Sequence, residues 1–465
     1  MADGCRWALA CQLASWFNAY ALVRPYSNSL EACFTAAGVF YWLRQQAGGS
    51  SSSSSKALAA ADDERRWLLL AGLCVVFRPS SALFWLLPAS LALAQTRNSA
   101  ARLVLAVHGL AAGAACLAVA TLLDRVLYGR WVLVPWQFLK FNLLAGGSAL
   151  YGSHPWHWNA SQGAPVVALT LLPLAAAGLR VPLPAKWARG RLQLAWLLSW
   201  QLLMCSLPAH KEFRFLLPAL QLTVPLCGLG ATWLTGGASG SLMRRDRQLG
   251  AGAPADRSKH WWLPMVLLAL QLPVALYFCL FHHSGNVAVM GALRKLAAAR
   301  APEPTSALFL TPCHATPYST HVHVRSGGIS NGTANSIALR FFDCSPPGWA
   351  HAVAALNTAD QAWLSLPEGC LGRDEQQHQA WRSQRQCFEA DPERYLGSVL
   401  MAAETKAGVG SGKPTALVGY SRQMGRLTGM LQQHGYQQYK TWANCLLQTD
   451  PDTSCGLELW VREDV

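Results

Sequence analysis

The stretch 103–123, LVLAVHGLAAGAACLAVATLL, carries no formal charge and is long enough to cross a hydrocarbon core, which takes about 17 to 25 helical residues. Three further runs, 192–208, 213–235 and 261–281, read the same way, and shorter apolar runs lie at 30–43, 67–77, 81–94 and 164–179. Segment 5–23 is interrupted by Arg6 and Asn18, so it reads as an interior spanning helix rather than a cleavable signal peptide. The 465 residues are 52% hydrophobic and only 13% charged, against about 25% charged in an average soluble chain. These features predict an α-helical polytopic membrane protein with about nine membrane segments over residues 1–281. After Phe281 the pattern becomes that of a water-soluble domain, 282–465, with short strands expected at 306–312, 415–420 and 456–461 and an exposed helix at 374–386. An α/β domain is the simplest arrangement of those elements.

A formal charge of +14 suggests nucleic acid in a soluble protein, but here the cations have another explanation. They cluster in the linkers 44–66, 95–102, 180–191 and 236–260, which fall on one side if the apolar segments alternate across a bilayer. By the positive-inside rule that side is cytosolic. Segments 24–29, 78–80, 124–163, 209–212 and 282–465 are then expected in the lumen. The sequons at Asn159 and Asn331 both fall on the luminal side. So do six cysteines of the C-terminal domain, compatible with disulfides in an oxidising compartment; the sequence fixes no pairing among them.

The polar motifs gather on the same side. Tyr151 to Trp158, YGSHPWHW, packs His154, Trp156, His157 and Trp158 around a proline, giving aromatic faces that stack on sugar; an interfacial aromatic belt is the competing reading. His210-Lys211-Glu212-Phe213-Arg214-Phe215 follows Pro208 at the mouth of two apolar segments and suits an anionic ligand, with Glu212 orienting Lys211 or Arg214. The competing reading is a snorkelling, self-paired cluster at a helix end. Arg24, Asn28 and Glu31, and Arg78 before Pro79, are weaker versions of the same pattern, and Asp124-Arg125 opens the long loop. Three lures fail. The loop 408–413 lacks the glycine and hydroxyl positions of a phosphate loop, Asp450-Pro-Asp452 sits among polar residues before Cys455, and Cys313, His314, His321 and His323 match no standard zinc spacing.

Together these stretches resemble the dolichol-phosphate-mannose-dependent mannosyltransferases of the endoplasmic reticulum, whose His-Lys-Glu-x-Arg-Phe signature stands here as His210, Lys211, Glu212, Arg214 and Phe215. The members that add the third mannose of the GPI anchor resemble this chain further in Tyr151 to Trp158, Lys140-Phe-Asn142, Arg78-Pro79, Arg24 with Asn28 and Glu31, and the stretch from Thr311 to His323. The resemblance implies an inverting, multi-spanning transferase of the GT-C type in the endoplasmic reticulum membrane. It would move mannose in α-1,2 linkage from dolichol-phosphate mannose to a GPI precursor, with no metal or other cofactor and no nucleic acid partner. It also implies that the family's acidic catalytic residue lies in a first luminal loop upstream of everything here, so the chain is expected to be truncated at its N-terminus. The catalytic residue is then unassigned, with Glu212 a weak substitute, and a catalytically inactive homologue acting as a membrane binding or scaffold protein is the alternative. A transporter is disfavoured because the motifs sit at helix ends and no repeat is visible.

Overall fold

Proline and its neighbours decide where the helices of the N-terminal half stop. The computed structural model describes residues 2–48, 54–144, 147–148, 152–236, 262–301, 303, 305–312, 315–321, 337–342, 384–405, 413–446 and 454–463. The chain divides into two compact units, Met1–Cys279 and Leu280–Val465. In the first unit the helices are α1 (Ala2–Ala14), α2 (Ser27–Gly48), α3 (Ser54–Phe77), α4 (Ala82–Gln95), α5 (Ser99–Tyr128) and α6 (Val134–Leu139). Then come α7 (Ala164–Ala168), α8 (Leu171–Arg180), α9 (Ala185–Ser206), α10 (Leu217–Leu234), α11 (Trp262–Ala269) and α12 (Gln271–Leu276). Helix α3 ends at Phe77 because Arg78 precedes Pro79 and is forced into an extended conformation, φ −149° and ψ 97°. Pro88 lies inside α4, and its missing N–H frees the Phe84 carbonyl; the Trp200 indole N–H donates to that oxygen at 3.2 Å. Helix α5 is bounded by the Asn98 side chain, which accepts from Ala100 N at 2.9 Å, and by Gly129 in the left-handed region.

Helix α10 is the axis of this unit, with 78% of its apolar span buried. It meets α8 backbone to backbone: a Cβ on Gly230 would strike the Leu174 carbonyl, and one on Gly178 the Leu226 carbonyl. Only glycine permits that approach from both sides. Three helix breaks converge on Gln271, which is fully buried. Its Oε1 accepts from Trp16 N just past α1 at 3.1 Å, and its Nε2 donates to Ala168 O and Thr170 Oγ1 at 3.0 and 2.8 Å. One amide thereby satisfies backbone and hydroxyl groups that the breaks expose.

Among the described residues three helical runs are long and apolar enough to cross a bilayer, Ser99–Tyr128, Phe213–Leu234 and Trp262–Arg300. A fourth exists if Asn159–Ala168 and Leu171–Arg180, bent by 104° at Leu169, are one broken span. The other apolar runs fail for physical reasons. Helices α1 and α4 are short, and α3 carries Asp62, Asp63, Glu64, Arg65 and Arg66 along its length.

The second unit is α/β. Helix α13 (Ser284–Arg300) leads into a sheet of β1 (Ser306–Leu310), β2 (Ala338–Phe341), β3 (Ala416–Tyr420), β4 (Tyr436–Ala443) and β5 (Gly456–Arg462), in the order β2-β1-β3-β5-β4. The pairs β1–β2 and β1–β3 are parallel, and β3–β5 and β4–β5 antiparallel. One face packs on Val289, Met290 and Leu293 of α13. The other packs on α14 (Gln384–Ala390), α15 (Pro392–Thr405) and α16 (Ser421–Gln433) through Phe388, Leu396 and Leu427. Strand β3 is therefore buried along its whole length, as a strand covered on both faces must be. The three expected strands fall where the pattern put them. Strand β4 escaped because YQQYKTWA at an exposed edge has no apolar alternation. Cys445 and Cys455 form a disulfide, and Cys387 is disulfide-bonded as well. The expected helix at 374–386 lies outside the described residues up to 383.

Candidate functional site

The cluster begins with a short ladder. His154 N donates to Ala209 O at 2.9 Å, and His210 Nδ1 lies 3.1 Å from Gly152 O, so the aromatic loop and the turn before α10 run side by side. Lys211 completes the tie. Its Nζ donates to His154 O at 3.0 Å and to Pro208 O at 2.7 Å, and the side chain is buried. Burial without a carboxylate pushes its ammonium below the ordinary lysine range. The geometry makes Lys211 a strut between two segments.

Glu212 sits in extended backbone and is followed by a tight turn, Phe213–Leu216, that opens α10. Its Oε1 accepts from Arg214 Nη2 at 2.8 Å and lies 2.9 Å from His210 Nε2. Its Oε2 lies 2.6 Å from Arg214 Nε, an ion-pair contact off the angle of a hydrogen bond. Both carboxylate oxygens are therefore engaged.

A second ion pair stands beside it. Arg78 Nε lies 3.2 Å from Glu31 Oε2, which is also 3.5 Å from Asn28 Nδ2, and Glu31 and Asn28 are both buried. The turn at Pro79 aims Arg78 at Phe215, 4.3 Å from guanidinium carbon to ring centroid. Arg214 lies 5.9 Å from the same centroid on its own account and 5.3 Å from that of Tyr26. Arg24 Nη1 donates to Tyr26 Oη at 3.5 Å, and its guanidinium covers Tyr20 at 3.9 Å. The result is an alternating series, Arg24, Tyr26, Arg214, Phe215, Arg78, drawn from three separate stretches of chain. Glu212 serves Arg214 and Glu31 serves Arg78, while no carboxylate serves Arg24 among the described residues. Cations spaced by ring faces are attracted to the rings and kept from repelling one another closely.

The aromatic loop forms one wall. His154 stacks on Trp158 at 4.7 Å, and Trp158, which is buried, packs on Phe213 at 4.9 Å. Trp156 is exposed and meets His157 edge-on at 5.8 Å, and His157 Nδ1 bonds Ser161 Oγ at 3.1 Å. Asn159 is 1% exposed, and its Nδ2, the atom a glycan would occupy, donates to Ser206 Oγ at 3.3 Å. The structure thus counts against a glycan at Asn159. Its role here is to fasten the loop to α9.

Other residues singled out from the sequence stand apart. Asp124 and Arg125 end α5, with Arg125 over Trp131 at 5.9 Å, and no bond joins either to the arginine series. Asn142 Nδ2 donates to Phe138 O at 3.0 Å within its own turn. Asn331, Tyr151, Cys313, His314, His323, most of 408–413 and all of Asp450–Asp452 lie outside the described residues. Among the described residues no group of His, Cys, Asp or Glu has the spacing to hold a metal ion. The sequence reading missed Tyr26 and Phe215 as platforms between guanidiniums. The available signal was their nearness in sequence to Arg24 and Arg214; their joining of separate segments had none.

A helical unit with membrane-length apolar runs and a cationic, aromatic cluster at helix ends fits an integral membrane protein. Residues 4–323 match the Alg9-like mannosyltransferase family, and the chain belongs to that family. It is 34% identical over 73% of its length to "Mannosyltransferase APTG1" of Arabidopsis thaliana, covering 57% of that protein. It is 32% identical over 77% of its length to "GPI alpha-1,2-mannosyltransferase 3" of Mus musculus, again covering 57%. To "GPI mannosyltransferase 3" of Saccharomyces cerevisiae it is 29% identical over 68% of its length, covering 48%. The chain therefore spans about half the length of the curated relatives it matches. No solved structure matches it.

Proposed function

We propose that the chain acts in transfer of the third mannose, in α-1,2 linkage, from dolichol-phosphate mannose to a GPI precursor, in the endoplasmic reticulum membrane with the arginine cluster on the luminal face. Family membership and the names of the relatives support mannosyl transfer. The observation that carries the donor assignment is the imbalance at the cluster, where Arg24 has no carboxylate partner among the described residues and shares Tyr26 with Arg214. In the reaction the bond from mannose C1 to the phosphate oxygen breaks as the acceptor hydroxyl oxygen bonds to C1 from the opposite face. The hydroxyl proton passes to a base, and negative charge collects on the departing lipid phosphate. Guanidiniums already in place stabilise that charge without reorganisation. Glu212, with both oxygens engaged, positions Arg214 rather than taking the proton. His154, Trp158 and Phe213 form the stacked wall for sugar faces.

The test is mannose transfer in microsomes from cells that lack the endogenous third-mannose activity, supplied with tritiated dolichol-phosphate mannose and a dimannosyl GPI precursor. A trimannosyl product cleaved by an α-1,2-mannosidase supports the assignment. Absence of product from correctly inserted protein overturns it.

A further inference from the structure

The second unit holds a groove of about 550 Å³ between α16 and the β4–β5 hairpin, within the size range of small-molecule sites. Among the described residues its lining carries two carboxylates, Glu458 and Glu463, and no Lys, Arg or His. Glu458 is only 8% exposed. Its Oε2 accepts from the Trp460 indole N–H at 2.8 Å, and no cation pairs with it among the described residues. That bond leaves the carboxylate able to accept from a further donor, and a cationic donor bonds it most strongly. Glu463 at the rim accepts from Gln437 Nε2. Gln432 on α16 and Gln438 on β4 supply the walls with amides that both donate and accept, and Thr428, whose hydroxyl donates to Met424 O at 3.2 Å, adds an acceptor, together the complement of a ring of hydroxyls. Gly425 leaves the helix side open, since a Cβ there would meet nothing within 4 Å.

We propose that this groove binds an amino sugar, a polyhydroxylated ligand whose primary ammonium pairs with Glu458. The proposal uses no residue of the arginine cluster and stands apart from the transfer reaction. The test is ligand-observed NMR on the detergent-solubilised full chain, titrating glucosamine and glucose at a pH where the amine is charged. Glucosamine is expected to bind about tenfold more tightly, the worth of one charge-assisted bond. Glu458→Gln keeps an acceptor for Trp460 and should erase that preference. Gly425→Leu fills the groove from an exposed helix position without touching the core, so both sugars should be lost while the thermal midpoint holds. Equal affinity for the two sugars overturns the proposal, as does no binding, a preference that survives Glu458→Gln, or binding that survives Gly425→Leu. Binding lost in Arg24→Ala would place the sugar in the first unit and overturn it too.

Discussion

Helix α2 has a charged cluster at each end, and the two are built on opposite plans. At its C-terminal end Arg44 is paired with Asp63, which is buried, and Arg66 approaches the same carboxylate at 3.7 Å. Glu64 receives Gln45 Nε2 at 3.0 Å and His108 Nδ1 at 3.0 Å, and Gln45 Oε1 accepts from the Trp67 indole at 2.8 Å. Arg65 faces Asp62 at 3.6 Å. Three arginines stand among three carboxylates, of which they contact Asp62 and Asp63, and the bonds tie α2 to α3 and α3 to α5. At the N-terminal end, among the described residues, the four cations Arg24, Arg78, Lys211 and Arg214 stand beside two carboxylates, Glu31 paired with Arg78 and Glu212 with Arg214. The balanced cluster holds helices in register; the unbalanced one is where the proposed function places the donor phosphate.

The largest expected difference between the ends is in activity. If Arg24 and Arg214 grip the leaving phosphate, each loses a charge-assisted bond of about 1.5 to 3 kcal/mol on substitution by alanine. That predicts transfer slowed by roughly ten- to a hundredfold in Arg24→Ala and Arg214→Ala, at about 1.4 kcal/mol per tenfold. Arg44→Ala should stay within about threefold, because its partner lies in the balanced cluster, where ion pairs are worth little to a distant reaction. Rates per folded protein in microsomes decide the matter. Equal losses at both ends would erase the distinction drawn here. Arg214→Lys belongs to the same experiment, and it should fall with the alanine variant because an ammonium cannot reproduce the planar fork.

A smaller effect is expected at Glu212. A positioning carboxylate replaced by glutamine costs about tenfold, whereas loss of a general base costs about a hundred- to ten-thousandfold. Glu212→Gln should show the smaller loss, with its pH–rate profile unchanged in shape. A collapse in turnover together with a lost acidic limb would make Glu212 the base. At the other end of α2, Glu64→Gln should leave transfer untouched and lower the thermal midpoint by a few degrees, the scale of about 1 kcal/mol or less in a partly exposed pair.

Much of the site was legible because its chemistry is local in sequence. His210 to Phe215 holds its own carboxylate, histidine and arginine within one turn, and Arg78-Pro79 announces by pre-proline sterics that the arginine leaves its helix. The strands β1, β3 and β5 were legible as short apolar runs. What could not be read was long-range. Nothing in the sequence joins Tyr26 to Arg214, or Trp16, Ala168 and Thr170 to Gln271, since each pairing depends on how helices cross. Apolar composition was visible in the sequence, while the helix breaks at Ser15 and Leu169 were not. Asn159 has the same limit: a sequon shows its letters and hides its burial.

The finest test of the comparison concerns Lys211, which lies in the unbalanced cluster yet is bonded as a strut. An anion facing the ammonium would raise its pKa, while burial against two carbonyls lowers it, and the structure has the second arrangement. The sign of the stability effect follows. Between the lowered folded value and the ordinary one near 10.4, the unfolded chain binds more proton than the folded chain, so stability rises with pH through that window. Lys211→Met has no such term. The midpoint of the parent minus that of Lys211→Met, measured in detergent from pH 7 to 10, should therefore grow in the parent's favour as pH rises, because neutral Lys211 keeps two N–H donors for His154 O and Pro208 O and sheds the burial cost of its charge. Other groups that titrate in this range do so in both proteins and cancel in the difference. A difference that shrinks with pH would mean that Lys211 faces a negative partner, which would move it from the struts to the anion site and leave the cluster with one more unpaired cation for the phosphate.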